Sequence, residues 1–185
     1  AGCRRIYYGW ESGSQRMLDV LKKDLTPEVI INAAQMTRRA GIWAKVYLIV
    51  GSPGETQKDI EETEKVLRLA GTDLIRVSVF NPLIGTESWD NYQASIDISD
   101  LAENYVSSNR SGYVHENFSQ IELEELRKNM VRSYERWYYS MPQRAKRFYE
   151  RTLYYMENPV YGRKRFGRAV GLVPPPKRHV VTNHH

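Results

Sequence analysis

"IWAKVYLIVGSPGET", Ile42 to Thr56, decides the fold. Its first nine residues form a near-continuous apolar run of strand length. Such runs suit a strand covered on both faces, as in a parallel sheet. The run ends in Gly51-Ser52-Pro53-Gly54-Glu55-Thr56, a turn-forming loop. "TQKDIEETEKVLRLAG" follows at helical spacing, with Ile60, Thr63, Val66, Leu67 and Leu69–Ala70 expected inward. Beyond it, "TDLIRVSVFNPLIGT" reads as a strand over Leu74–Phe80 that opens into a Pro/Gly loop.

The same pattern extends upstream. Arg4–Gly9 has the β propensity of Ile6, Tyr7 and Tyr8. It breaks into "GWESGS" and then a helix from Ser14 to about Leu21. Thr26 is the expected cap of the next helix, with Pro27 at its first position and Glu28 at the positive end of its dipole. Val29, Ile30, Ala33, Ala34 and Met36–Thr37 form its apolar stripe, and Ala40-Gly41 ends it. Residues 1–90 thus read strand–helix–strand–helix–strand, the order of parallel strands with crossover helices. Each strand ends in a loop rich in Gly, Pro, Ser or Thr: GWESGS, GSPGET and NPLIGT. In α/β sheets and barrels, ligands bind at that edge. The Arg4–Gly9 side is left as an open edge where another chain's strand could pair.

Composition sets the limits. With 41% hydrophobic and 26% charged residues the chain has a globular composition, and its 185 residues suffice for one domain with an appendage. No apolar run approaches the roughly 20 residues of a membrane span, and the N-terminus lacks a signal-peptide core. Cys3 is the single cysteine, so neither an internal disulfide nor an all-cysteine metal site can be built from this chain alone. A cytoplasmic, reducing setting is the default expectation. His115, His179, His184 and His185 show no metal spacing. The net charge of +5 hides an asymmetry. From Arg127 onward there are 14 Lys/Arg against Glu135, Glu150 and Glu157, so the front is acidic and the rear basic.

Residues 91–118 are a polar connecting region, with Asn109-Arg110-Ser111-Gly112 as a turn. Residues 119–185 read as a basic, aromatic-rich helical extension with a disordered tail. Its first helix opens on a capping box, Ser119 with Glu122, and runs to about Tyr139. Met141-Pro142 breaks it, and a second helix covers Gln143 to about Met156, before Asn158-Pro159. Val173-Pro174-Pro175-Pro176 is stiff and extended.

The loops together carry a resemblance. "GCRRIYYGWESGSQRMLDVLKKDLTPE", "AGIWAKVYLIVGSPGETQKDIEET" and "NPLIGTESWD" resemble the second half of a radical S-adenosylmethionine (SAM) barrel. The likeness is to the branch with an upstream cobalamin-binding domain, which includes anaerobic magnesium-porphyrin cyclase and methyltransferase-like enzymes. It implies an α/β fold, the last three βα units of a partial, TIM-like (β/α)6 barrel over residues 1–90, followed by the helical extension.

It also implies cofactors: SAM, a 4Fe–4S cluster whose C-x-x-x-C-x-x-C ligands lie outside this chain, and cobalamin on a domain outside it. The implied chemistry is electron transfer into the sulfonium, giving a radical that abstracts a substrate hydrogen, with outcomes such as methylation or cyclisation of a small molecule. The expected partner is the missing N-terminal half of the same protein.

By the same resemblance Glu11 and Ser12 sit on the ribose side, Gly9 and Gly13 let backbone approach the cofactor, and Lys23 meets its carboxylate. Val50, Gly51 and Ser52 would meet the adenine, and Asn81, Pro82 and Leu83 would complete that pocket. Plainer readings compete. Glu11 can cap the following helix, Lys23 can be a solvated helix end, and Lys22 is plain surface. Glu55 is expected to support its own loop, and NPLIGT can be an ordinary turn. Two alternatives of other kinds stand beside the enzyme. One is a non-catalytic half-barrel that binds a partner. The other is a nucleic-acid-modifying member of the superfamily, read from Tyr134, Trp137, Tyr138, Tyr139, Phe148, Tyr149, Tyr154 and Tyr155 interleaved with Arg132, Arg136, Arg144, Lys146, Arg147 and Arg151. Against the latter stands an amphipathic helical pair that packs its aromatics inward.

Overall fold

Three strands, Arg5–Glu11 (β1), Trp43–Val50 (β2) and Leu74–Val79 (β3), form one parallel sheet in the order β1-β2-β3. The computed structural model describes residues 3–96 and 111–157. Asn109, Arg110, Asn158-Pro159, the Val173–Pro176 run, His179, His184 and His185 lie outside the described residues, as do the side chains of Arg151, Tyr154 and Tyr155. Helices Gln15–Val20 (α1) and Pro27–Arg39 (α2) connect β1 to β2, and Gln57–Ala70 (α3) connects β2 to β3. Then come Glu87–Tyr92 (α4), a short 3-10 turn at Gln93–Ser95, Gln120–Tyr138 (α5) and Met141–Glu157 (α6). The α/β alternation is as the sequence indicates.

Local chemistry explains most boundaries. The Thr26 hydroxyl accepts from the Val29 amide at 3.3 Å and caps α2, with Pro27 just inside. Thr56 with Asp59, and Ser119 with Glu122, form capping boxes at the starts of α3 and α5. Gly71, left-handed at φ 61°, closes α3.

Some expectations are corrected. β1 runs on to Glu11 rather than ending at Gly9, because a register shift after Gly9 lets Glu11 still pair with Leu48. β2 starts at Trp43 and β3 ends at Val79, although the Phe80 amide still donates to the Val50 carbonyl at 2.8 Å. α6 begins at Met141, two residues earlier than expected. Val29, Met36 and Leu69 are exposed rather than inward. Helical geometry turns them away from the stripes Ile30–Ala34–Thr37 and Ile60–Thr63–Val66–Leu67–Ala70, which are the buried ones.

The chain divides into two compact units, residues 1–144 and 145–185. In the first unit one sheet face is dry. Trp10, Val46, Leu48, Val50, Val77 and Val79 pack there with Ile30, Leu67, Leu123 and Met130 from the helices. Helix α5 belongs to this layer. Its Tyr134 hydroxyl donates to the Thr72 carbonyl at 2.7 Å, and its Tyr138 hydroxyl donates to Asp73 at 2.7 Å. Asp73 in turn accepts from the Ala44 amide at 2.9 Å, so α5 pins the entry of β3 to β2. Tyr7, Gly9, Lys45, Tyr47, Arg76 and Ser78 alternate onto the opposite, wetter face. There the Lys45 ammonium lies 5.5 Å from the Tyr7 ring centre and 5.0 Å from that of Tyr47. Among the described residues no helix is long and apolar enough to cross a membrane.

Candidate cofactor site

The C-terminal ends of the three strands share one edge, and GWESGS, GSPGET and NPLIGT all leave from it. At the end of β1 the chain adopts an uncommon conformation. Glu11 has φ 65°, a left-handed value that a residue with a side chain rarely takes. This turn folds its carboxylate back over Gly9: a Cβ placed on Gly9 would lie 2.8 Å from Glu11 Oε1. The Lys23 ammonium closes the group, 3.2 Å from Glu11 Oε1 and 3.5 Å from the Gly9 carbonyl. Gly9, Glu11 and Lys23 therefore form one half-exposed cluster. Lys22 stands apart in an exposed pair with Glu87 at 2.5 Å, a contact of small energetic weight.

The next residues turn inward. Ser12 is buried, and its hydroxyl lies 3.1 Å from that of Thr63 on α3. The Gly13 amide donates to the same Thr63 hydroxyl at 2.9 Å. A Cβ on Gly13 would lie 2.9 Å from both Thr63 Cα and Val66 Cβ, so loop and helix are in direct backbone contact. Gly13→Ala should therefore destabilise the chain by about 1–3 kcal/mol in urea unfolding, the usual range for overpacking. An alanine tolerated without loss would show that the two segments are not pressed together.

Asp59 ties this loop to the next one. It accepts from the Ser14 hydroxyl at 2.7 Å, the Thr56 amide at 2.9 Å and the Arg16 guanidinium. Arg16 also donates to the Gly54 carbonyl at 2.9 Å. Burial disfavours the ionised Asp59, but these hydrogen bonds from Arg16, Thr56 and Ser14 prevail and hold its carboxyl well below the usual range.

In GSPGET, Val50 is buried on the helix-covered face, and Gly51 (φ 76°) is pressed on Leu123, 2.8 Å from where its Cβ would be. Glu55 folds back under the loop and accepts from the Gly51 amide at 2.6 Å. Burial pushes its carboxyl up to about 7, against the hydrogen bonds from the Gly51 and Ser52 amides.

Residues 115–117, in the polar connecting region, clamp GSPGET from outside. His115, fully buried, donates from Nε2 to the Ser52 carbonyl at 2.9 Å, while its Nδ1 accepts from the Asn117 amide at 2.9 Å. That pattern selects the Nε2–H tautomer. Asn117 donates to the Glu55 carbonyl at 2.9 Å, and the Gly54 amide donates to Glu116 at 3.2 Å. Tyr113 fills the space below, edge-on to Phe80 at 5.5 Å and to Tyr92 at 5.6 Å. The Ser52 hydroxyl is buried and has no hydrogen-bond partner among the described residues. At the end of β3, Asn81 is half-buried, Pro82 buried and Leu83 exposed.

Of the residues expected at the cofactor, the structure gathers Gly9, Glu11 and Lys23 into one cluster. It places Ser12 and Gly13 against α3, Val50, Gly51 and Ser52 beneath Leu123 and His115, and Asn81 and Pro82 at the end of β3. No sequence signal pointed to His115, Glu116 and Asn117. Asp59 could have been found as the last residue of a T-x-x-D capping box.

Residues 1–67 match the family model described as the radical SAM superfamily. This segment belongs to that superfamily. An uncharacterised methyltransferase of Pyrococcus horikoshii is 33% identical over 89 residues, 48% of this chain and 19% of the relative. An anaerobic magnesium-protoporphyrin IX monomethyl ester cyclase of Cereibacter sphaeroides is 29% identical over 108 residues, 58% of this chain and 18% of the relative. A tRNA-2-methylthio-N(6)-dimethylallyladenosine synthase of Wolinella succinogenes is 28% identical over 133 residues, 70% of this chain and 28% of the relative. The chain thus spans about a fifth to just over a quarter of the length of these relatives.

Radical SAM proteins use SAM and a 4Fe–4S cluster. The present residues do not fit the cluster: Cys3 is the chain's single cysteine, and the described residues contain no group of three His, Cys, Asp or Glu side chains that could hold a metal. They do offer groups suited to SAM. A carboxylate can accept from two ribose hydroxyls, and an ammonium can pair with a carboxylate.

Proposed function

We propose that residues 1–90 are the C-terminal half of a radical SAM barrel, and that SAM binds along its strand-end edge. The cluster-bearing half, and a cobalamin domain in the manner of the cyclase branch, belong to other parts of the protein. The observation that carries this reading is the strained Glu11, held over Gly9 and paired with Lys23 at the strand end. Backbone strain of this kind concentrates at functional sites. In this reading Glu11 takes the ribose hydroxyls, Lys23 the methionine carboxylate, and Gly9 admits the cofactor. Ser12 and Gly13 act through the loop they anchor. Val50, Gly51 and Ser52 form the adenine side through backbone, and Asn81 and Pro82 close it. The bound cofactor supplies radical chemistry for methylation or cyclisation of a small molecule, and the chain's share is to bind and orient.

The test is equilibrium binding of S-adenosylhomocysteine to the protein extended upstream through its cluster-binding segment. Glu11→Ala should weaken binding about tenfold or more, the effect of losing a charge-assisted bidentate contact. Full affinity in that variant would sink the ribose assignment. Corrinoid absorbance in the same preparation would test the cobalamin arm.

The match to the tRNA-modifying synthase, which covers 70% of this chain, favours a second reading. In it the basic rear meets a nucleic acid. Steeply salt-dependent tRNA binding would support it, and salt-insensitive or absent binding would remove it.

A further inference from the structure

Helix α6, Met141–Glu157, is amphipathic with its apolar side uncovered. Met141, Phe148, Tyr149 and Met156 are 72%, 76%, 64% and 72% exposed, and Leu153 is 39% exposed. At 3.6 residues per turn these five fall on one side of the helix, with Ala145 and Thr152 between them. Arg144 and Lys146, both exposed, border that arc on its two sides. From residue 145 to the end the sequence holds nine Lys/Arg against Glu150 and Glu157, and beyond residue 157 it holds no acidic residue at all.

The occupant must supply apolar cover and negative charge together. A second copy would bring the same excess of positive charge to the interface, which opposes association. RNA offers phosphate and base faces, but the aliphatic Leu153 and the thioethers of Met141 and Met156 make no stacking platform. A lipid surface offers both requirements: acyl chains for the arc and anionic headgroups for the bordering cations. The helix is too charged to span a bilayer, and it has the composition of helices that lie in the interfacial plane.

We propose that α6 docks on the surface of an anionic lipid bilayer, inserting Met141, Phe148, Tyr149, Leu153 and Met156 between headgroups. This inference does not rest on SAM binding, and either can fail alone.

The test is co-flotation of the full chain with vesicles of equal parts phosphatidylcholine and phosphatidylglycerol, against vesicles of phosphatidylcholine alone. Binding should favour the anionic vesicles and weaken with salt. Phe148→Glu, and separately Met156→Glu, should each reduce binding about tenfold or more. Both sites are exposed, so circular dichroism should show the wild-type helix content. Absence of flotation, equal binding to neutral vesicles, or binding unchanged in both variants would overturn the proposal. So would displacement from vesicles by polyuridylate RNA, or a dimer in sedimentation that Phe148→Glu dissolves.

Discussion

Asp59→Ala should be the most destabilising single substitution among the site residues, with a loss of about 3–5 kcal/mol in urea unfolding. The carboxylate serves three elements at once. It completes the capping box with Thr56 at the start of α3, and it accepts the hydroxyl of the fully buried Ser14. It also holds Arg16, which in turn grips the Gly54 carbonyl of the neighbouring loop. Alanine leaves the Ser14 hydroxyl, the Thr56 amide and the guanidinium without this acceptor. Loss of the cap alone accounts for about 1 kcal/mol, and the remainder comes from the stranded groups. Asp59→Asn keeps one acceptor oxygen but loses the charge that Arg16 meets, so it should fall between wild type and alanine. If alanine costs under about 1 kcal/mol, GWESGS and GSPGET are not joined through this residue.

Glu55→Gln should remove most of the loss of stability that wild type shows between mildly acidic and alkaline pH. Burial raises the folded-state value of Glu55 to about 7 from 4.5. The folded chain therefore holds this proton more tightly than the unfolded chain. The stabilisation is fully present below about 4.5 and is lost as pH rises through about 7. By linkage the lost amount is about 3 kcal/mol. Asp59 has the opposite sign. Its folded-state value is depressed, so its contribution is present above 3.8 and is lost as pH falls below that. Wild type should be most stable between these limits, near pH 4. The glutamine variant should keep the acid limb and lose the alkaline one, while its amide oxygen still accepts from the Gly51 amide. Urea unfolding of both proteins at pH 5 and pH 9 decides the matter. An unchanged alkaline slope in Glu55→Gln would place the titrating group elsewhere.

The two loops fix the strand-end edge by different means. GWESGS is anchored from below through Ser12, Gly13 and Ser14 to α3. GSPGET is held from within by Glu55 and from outside by His115, Glu116 and Asn117. Glu11, with Gly9 and Lys23, stays half-exposed on this edge. That division separates residues that position backbone from those whose side chains can make contact.

Local sequence was enough for the parallel α/β layout. The apolar run Ile42–Val50, the alternation of strands with helical stripes, and the caps at Thr26, Thr56 and Ser119 act over a few residues and need no distant partner. The support role of Glu55 was legible for the same reason, since its acceptor contact reaches back only four residues, to Gly51. The loop motifs were enough for the superfamily. Contacts that close over long sequence separations were decided by the tertiary structure. Ser12 meets Thr63 across 51 residues, Ser14 meets Asp59 across 45, and His115 meets Ser52 across 63. Nothing in a polar stretch such as Ser111–Phe118 announces which carbonyl it will clamp. The histidine there is buried beside the rings of Tyr113 and Phe118, whose centres lie 6.0 and 5.2 Å from its own. The pairing of Glu11 with Lys23 lies between these cases. Both residues were visible, but only the left-handed turn at Glu11 bends the carboxylate back over Gly9, where the lysine can reach it.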